Sequence, residues 1–175
     1  MPQSTVTEES IVTVPQQTSI KTAVINFLEK DNWNFEQSDN CIQISYVSEN
    51  STYDCFLDIS EGNNSLSIYS YISVKIPVEK RLSIAEYITR ANSGLILGNL
   101  EMLFSNGLIR YKTSIAMLDG ELTYKMLGHL LWRNFEAIDY HFPGIMSVIY
   151  GNTSPEDVIR QMESEDDIEK DTDNN

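Results

Sequence analysis

The chain has 175 residues, 41% of them apolar, which suits one domain with a sizeable core and tails. Its 26 carboxylates face 12 Lys and Arg, for a net charge of −14. An acidic body repels a phosphate backbone, whose neutralisation needs clustered Lys and Arg, so nucleic acid is not an expected partner.

Residues 1–18 carry −2 and residues 163–175, ESEDDIEKDTDNN, carry −6, which leaves −6 on residues 19–162. The head is rich in Gln, Ser and Thr without a helical stripe. Head and tail are therefore expected to be disordered, flanking one domain over 19–162. No apolar run approaches the ~20 residues of a membrane helix. The N-terminus MPQSTVTEES has neither a basic n-region nor an apolar h-region. The expected location is the cytoplasm, with no membrane partner. There Cys41 and Cys55 stay reduced.

Ser19 caps a predicted helix to about Asp31, with Ile20, Ala23, Val24, Phe27 and Leu28 on one face. Three strands follow. In CIQISYV and TYDCFLDI, pairing the apolar faces sets Tyr46 opposite Tyr53, Ile44 opposite Cys55 and Ile42 opposite Leu57. A one-residue slip would expose the whole set, so register is well specified. It also turns Cys41 away from the face that holds Cys55. In SLSIYSYISV, Leu66, Ile68, Ile72 and Val74 join that face, and Tyr69 and Tyr71 lie on the other with serines.

Pro77 opens a second predicted helix with Leu82, Ala85, Ile88 and either Ala91 or Asn92 inward, ended by a left-handed Gly94. Two strands then flank Asn106-Gly107, a type I′ hairpin signal. That turn predicts Phe104 opposite Ile109, Met102 opposite Tyr111 and Leu100 opposite Thr113, with Gly98 opposite Ile115. It predicts an ion pair of Glu101 with Lys112. Leu95, Leu97 and Leu103 fall on the face of Glu101, where apolar residues want a cover. Thr123 caps a third predicted helix to about Phe142, with Leu127, Leu130, Leu131, Asn134, Ile138 and His141 on one stripe, a break or kink at Pro143-Gly144 and IMSVIYG as a short amphipathic continuation. Ser154 caps a last short helix to about Met162. The order α-β-β-β-α-β-β-α-α predicts an α+β fold with one antiparallel sheet of about five strands.

No reaction centre emerges from the residues. RANSGLILG runs helix, glycine, strand, so Gly94 sits at the negative helix end, where a phosphate is disfavoured. His129 and His141 lie ~18 Å apart on one continuous helix and cannot share an ion. The cysteine spacing does not fit zinc. No G-x-S-x-G elbow is present. Asp54 and Asp58 share a solvated strand face, where carboxylates usually only solubilise. Lys80, Arg81, Arg90, Arg110 and Lys112 are dispersed among acids. Catalytic, cofactor and metal assignments are therefore none.

RLSIAEYITRANSGLILGNLEM, GLIRYKTSI and HFPGIMSVIYGNTSPEDVI resemble the YbjN-domain family, especially its cyanobacterial-type members. The likeness covers roughly residues 19–162 and is carried by packing residues and turns. It implies an α+β fold like that of type III secretion chaperones, which are small acidic homodimers that hold an extended client segment. The family is labelled as regulators of sensory transduction, and it offers no catalytic residues to carry over. The expectation is a non-enzymatic interaction module, homodimeric and binding a client protein, with chaperone-like or regulatory use. Tyr69, Tyr71, Leu95, Leu97 and Leu103 are the candidate contact surface. The alternative is a small-molecule sensor with a pocket between the third helix and the sheet, near Tyr111, Trp132 and His141.

Overall fold

A computed structural model describes residues 18–117 and 120–173. Among these residues four helices stand on a six-stranded antiparallel sheet. The elements are α1 (Ile20–Lys30), β1 (Phe35–Gln37), β2 (Cys41–Val47), β3 (Thr52–Ser60), β4 (Ser65–Tyr71), α2 (Arg81–Gly94), β5 (Asn99–Leu103), β6 (Leu108–Ala116), α3 (Tyr124–Tyr150) and α4 (Pro155–Asp173). The sheet order is β1-β2-β3-β4-β6-β5. The reading of residues 1–18 as a disordered head falls, Thr18 apart, outside the described residues.

Helix α1 follows from its pattern. Ser19 accepts from the Thr22 amide, and Ile20, Val24, Phe27 and Leu28 are buried. Two further first-turn amides, of Ile20 and Lys21, donate to the Glu61 carboxylate at 3.2 and 2.9 Å. A carboxylate there satisfies orphan donors and faces the positive end of the helix. The β2–β3 register is the one that apolar matching selects, with Tyr46 opposite Tyr53, Ile44 opposite Cys55 and Ile42 opposite Leu57. Strand β1 was not expected. Its three residues, FEQ, are too short to show a period, and pairing with Gln43 and its neighbours decides them.

Several expectations are corrected. In α2 the buried residues are Ile84, Tyr87, Ile88 and Ala91, and Leu82 is 76% exposed. The phase is set by Tyr87, whose hydroxyl meets His141 Nδ1 at 3.0 Å in the core. Gly94 is the last helical residue and is not left-handed; the positive-φ glycines are Gly98, Gly107 and Gly120. Asn106-Gly107 does not form a type I′ turn, because only Gly107 has positive φ. The Asn106 and Gly107 amides both return to the Leu103 carbonyl, which makes a four-residue loop. The β5–β6 register therefore differs by two residues from the expected one: Met102 faces Ile109 and Leu100 faces Tyr111. A two-residue shift keeps every side chain on its face but changes its partner. Glu101 consequently pairs with Arg110, at 2.6 Å, and not with Lys112.

Helix α3 does not break at Pro143-Gly144; it runs through to Tyr150. Proline cannot donate to the carbonyl four residues earlier. That carbonyl, of Asp139, accepts instead from Asn50 Nδ2 at 3.3 Å. Helix α4 passes Met162 and reaches Asp173 through sequence with no Gly or Pro to stop it.

The buried residues form two neighbouring groups. One joins α1 and the first half of α3 to β2, β3 and β4. The other joins α2, α4 and the second half of α3 to Leu100, Ile109 and Tyr111. Helix α3, about 40 Å long at 1.5 Å per residue, spans both. Asn134 anchors it at mid-length by donating to the carbonyls of Ile68 and Tyr111 and to Thr113 Oγ1.

Candidate interaction site

Alternation along the strands sends one set of side chains under the helices. In β3, Tyr53, Cys55, Leu57 and Ile59 are buried, and Thr52, Asp54 and Asp58 are exposed. In β4, Leu66, Ile68 and Ser70 are buried, and Ser67, Tyr69 and Tyr71 are half-buried. The residues packed against the helices all come from the first set. The second set forms a face that no described helix covers.

Register fixes the rows on that face. One row runs Ser45, Asp54, Tyr71, Arg110, Glu101. The next runs Gln43, Phe56, Tyr69, Lys112, Asn99. Phe56 meets Tyr71 edge-on with ring centroids 5.6 Å apart. The Arg110 guanidinium lies 4.3 Å from the Tyr69 ring centroid and donates to the Tyr71 hydroxyl at 3.0 Å. Such cation–aromatic contacts are worth about 0.5–1 kcal/mol at exposed sites. Arg110 is also clamped by Glu101 through Nε at 2.7 Å. Partial burial raises the Glu101 pKa, but the bonds from Arg110 and Asn99 and the nearby cations outweigh it, and the carboxyl sits below its usual range. The result is a pre-ordered platform of rings and fixed charges.

On the helical side, a cleft of ≈ 580 Å³ opens between residues 94–97 and one stripe of α3. Tyr111 forms its floor and donates its hydroxyl to the Leu97 carbonyl at 2.6 Å. Burial pushes the Tyr111 phenol up to about 12. His129, Arg133, Tyr140 and His141 form the α3 wall, and Ile96 stands fully exposed at the rim. Both histidines thus look into one cleft from the same helix. Among the described residues, no three His, Cys, Asp or Glu side chains gather closely enough to hold a metal ion. No described helix is long and apolar enough to cross a membrane.

One protein family, YbjN, described as "Putative bacterial sensory transduction regulator", matches residues 21–146. The chain belongs to the YbjN family. Among solved structures, that of YbjN from E. coli, described as a putative transcription regulator, is similar with a TM-score of 0.52 at 14% identity, covering 74% of this chain and 88% of that one. The HopA1-SchA chaperone–effector complex gives a TM-score of 0.46 at 16% identity, over 67% of this chain and 88% of that one. No curated protein matches the chain. The E. coli YbjN likeness shows a shared α+β fold.

The five residues expected to form one surface are divided in this YbjN domain. Tyr69, Tyr71 and Leu103 lie on the uncovered face. Leu95 and Leu97 precede β5 and pack, half-buried, on the helical side, where they line the cleft. Gly98 causes the difference. Its φ of +84° turns the chain before the strand begins at Asn99. Of the expected pocket, Tyr111 and His141 do meet in the cleft, whereas Trp132 packs elsewhere, against Trp33, Tyr46 and Phe135. Phe56 and Arg110 were missed as partners of the tyrosines. Phe56 interrupts the acidic alternation Asp54-x-x-x-Asp58, which was the available signal.

Proposed function

We propose that this YbjN-family chain is a non-enzymatic protein-interaction module of chaperone-like or regulatory use, acting as a homodimer that holds a client protein. One observation carries the reading: an ordered patch of Phe56, Tyr69, Tyr71 and Arg110, spanning two adjacent rows, on a sheet face that no described helix covers. Half-buried aromatics beside a fixed guanidinium are the residue types that protein interfaces favour. Leu103 extends the apolar part of the same face.

The test is a photo-crosslinking residue at position 103, at the margin of the platform. Expressed in the native cell, it should give a discrete protein adduct besides any adduct between copies. The same residue at 82, on the exposed side of α2, serves as the control. Adducts at both positions or at neither defeat the reading. Light scattering should give twice the 19.9 kDa chain mass.

A second reading is favoured by the cleft. A small-molecule-sensing regulatory domain would use Leu95, Leu97, Tyr111 and His141 as its pocket. Native mass spectrometry of the chain isolated from its own cells should then show a retained mass, which Leu97→Trp removes by filling the cleft.

A further inference from the structure

The uncovered sheet face carries its own complement. Relative to β4, the acids Asp54 and Asp58 lie one strand away on β3, and the cations Arg110 and Lys112 lie one strand away on β6. Tyr69 and Tyr71 occupy the strand between them. The geometry points to a second copy of this chain as the occupant: two sheets pack face to face about a two-fold axis parallel to β4. This rests on the homodimer reading above and specifies its interface.

The symmetry follows from the rows. Face-to-face packing of identical sheets places the two-fold in the plane between them. An axis along β4 exchanges β3 with β6 and keeps every row in place. Asp54 then lies opposite Arg110 of the partner subunit, and the Phe56 ring lies opposite the partner's Lys112, a cation–aromatic contact. Tyr69 and Tyr71 lie opposite the partner's Tyr69 and the partner's Tyr71. The alternative axis, across the strands, returns β3 onto β3 and sets acid over acid. Only the axis along β4 pairs unlike charges.

The spacing is compatible. Packed sheets lie about 10 Å apart and cross at about 30°, which shifts strands one position off the axis, about 4.8 Å away, by only about 2–3 Å. Long side chains absorb that shift. Arg110 is already held by Glu101 and Tyr71, so little further side-chain entropy is lost on pairing.

Sedimentation of the full chain and three variants tests this arrangement. The wild type should be a dimer. Asp54→Arg sets like charges across the axis and should weaken dimerisation about tenfold or more. Glu101→Arg with Arg110→Glu keeps the intrachain ion pair, reversed, and should also weaken it. Combining all three substitutions restores unlike charges across the axis and should restore the dimer. In a Cys41→Ser background, Tyr69→Cys should cross-link to itself with a short bismaleimide, and Leu82→Cys should not. Circular dichroism confirms that each variant is folded. If the chain dimerises but Asp54→Arg leaves it unchanged, or if cross-linking comes from 82 and not 69, the sheet-face arrangement is wrong and the homodimer reading stands. A chain that is monomeric at all concentrations overturns both. A monomer whose platform takes up a different protein leaves only the client-binding part.

Discussion

Asn50, in the turn between β2 and β3, holds Asp139 of α3 twice, with Nδ2 3.3 Å from its carbonyl oxygen and 3.1 Å from its carboxylate. Pro143, four residues on, denies that carbonyl its helical donor. Tyr53 donates to the same carboxylate at 2.7 Å. A turn on the sheet therefore completes a helix on the layer above it.

The first prediction concerns this coupling. Asn50→Ala should cost about 1 kcal/mol in urea unfolding, since the contact is exposed. Pro143→Ala restores the helical bond and makes Asn50 less necessary. In that background Asn50→Ala should cost about half as much. Equal costs in both backgrounds would mean that Asn50 does not serve the freed carbonyl.

Two neighbouring glycines should respond oppositely to alanine. At Gly94 an added Cβ meets nothing within 4 Å and the residue is helical, so Gly94→Ala should stabilise by about 0.5–1 kcal/mol. At Gly98, φ is +84° and an added Cβ would lie 2.5 Å from the Lys112 carbonyl oxygen. Gly98→Ala should destabilise by at least about 1–2 kcal/mol. Thermal melts of the two variants give the comparison directly.

The thiols should differ in reactivity. Burial pushes Cys55 up to about 12. At about pH 8 roughly one such thiol in ten thousand is ionised. Cys41 is half-buried, and burial and the nearby Asp58 charge raise it as well. A chromogenic disulfide reagent should therefore label Cys41 slowly in the folded chain, and Cys55 only on unfolding. Rapid release of two equivalents from the native protein would contradict this.

Alkaline pH should unfold the chain late. Burial, joined by the bond to Asp139, raises the Tyr53 phenol; burial raises Tyr87 too and takes Tyr111 up to about 12. The unfolded phenol ionises near pH ~10, so the folded state retains these protons longer. The associated stability is complete below about pH 10 and is lost as pH rises through the folded values. The urea midpoint should be insensitive to these phenols up to about pH 9.5 and fall beyond about pH 10. Tyr53→Phe, which cannot ionise, should reduce the steepness of that fall.

Much of the fold was legible because it rests on short-range periodicity. The β2–β3 register, the cap of α1 at Ser19 and the α3 stripe of Leu127, Leu130, Leu131, Asn134, Ile138 and His141 all follow from it. Tyr69 and Tyr71 were legible as surface residues for the same reason. Arg110 was not legible as their partner, because the β4–β6 pairing joins strands that are not consecutive in the chain. Leu95 and Leu97 were assigned to a strand face they do not reach, because Gly98 turns the chain just before β5.

By itself the sequence determined the α+β class, the order of all the elements but β1 and the face each strand buries, since side-chain period and capping are local properties of the chain. The tertiary structure alone decided that Pro143 stays inside a helix, that α2 turns Tyr87 inward rather than Leu82, and that Glu101 clamps Arg110 over Tyr69. Each of these depends on a group far away in sequence: Asn50 for the freed carbonyl, His141 for the Tyr87 hydroxyl and the β4–β6 ladder for the platform. Local pattern carries no term for such partners, so only the assembled layers could select among the arrangements it permits.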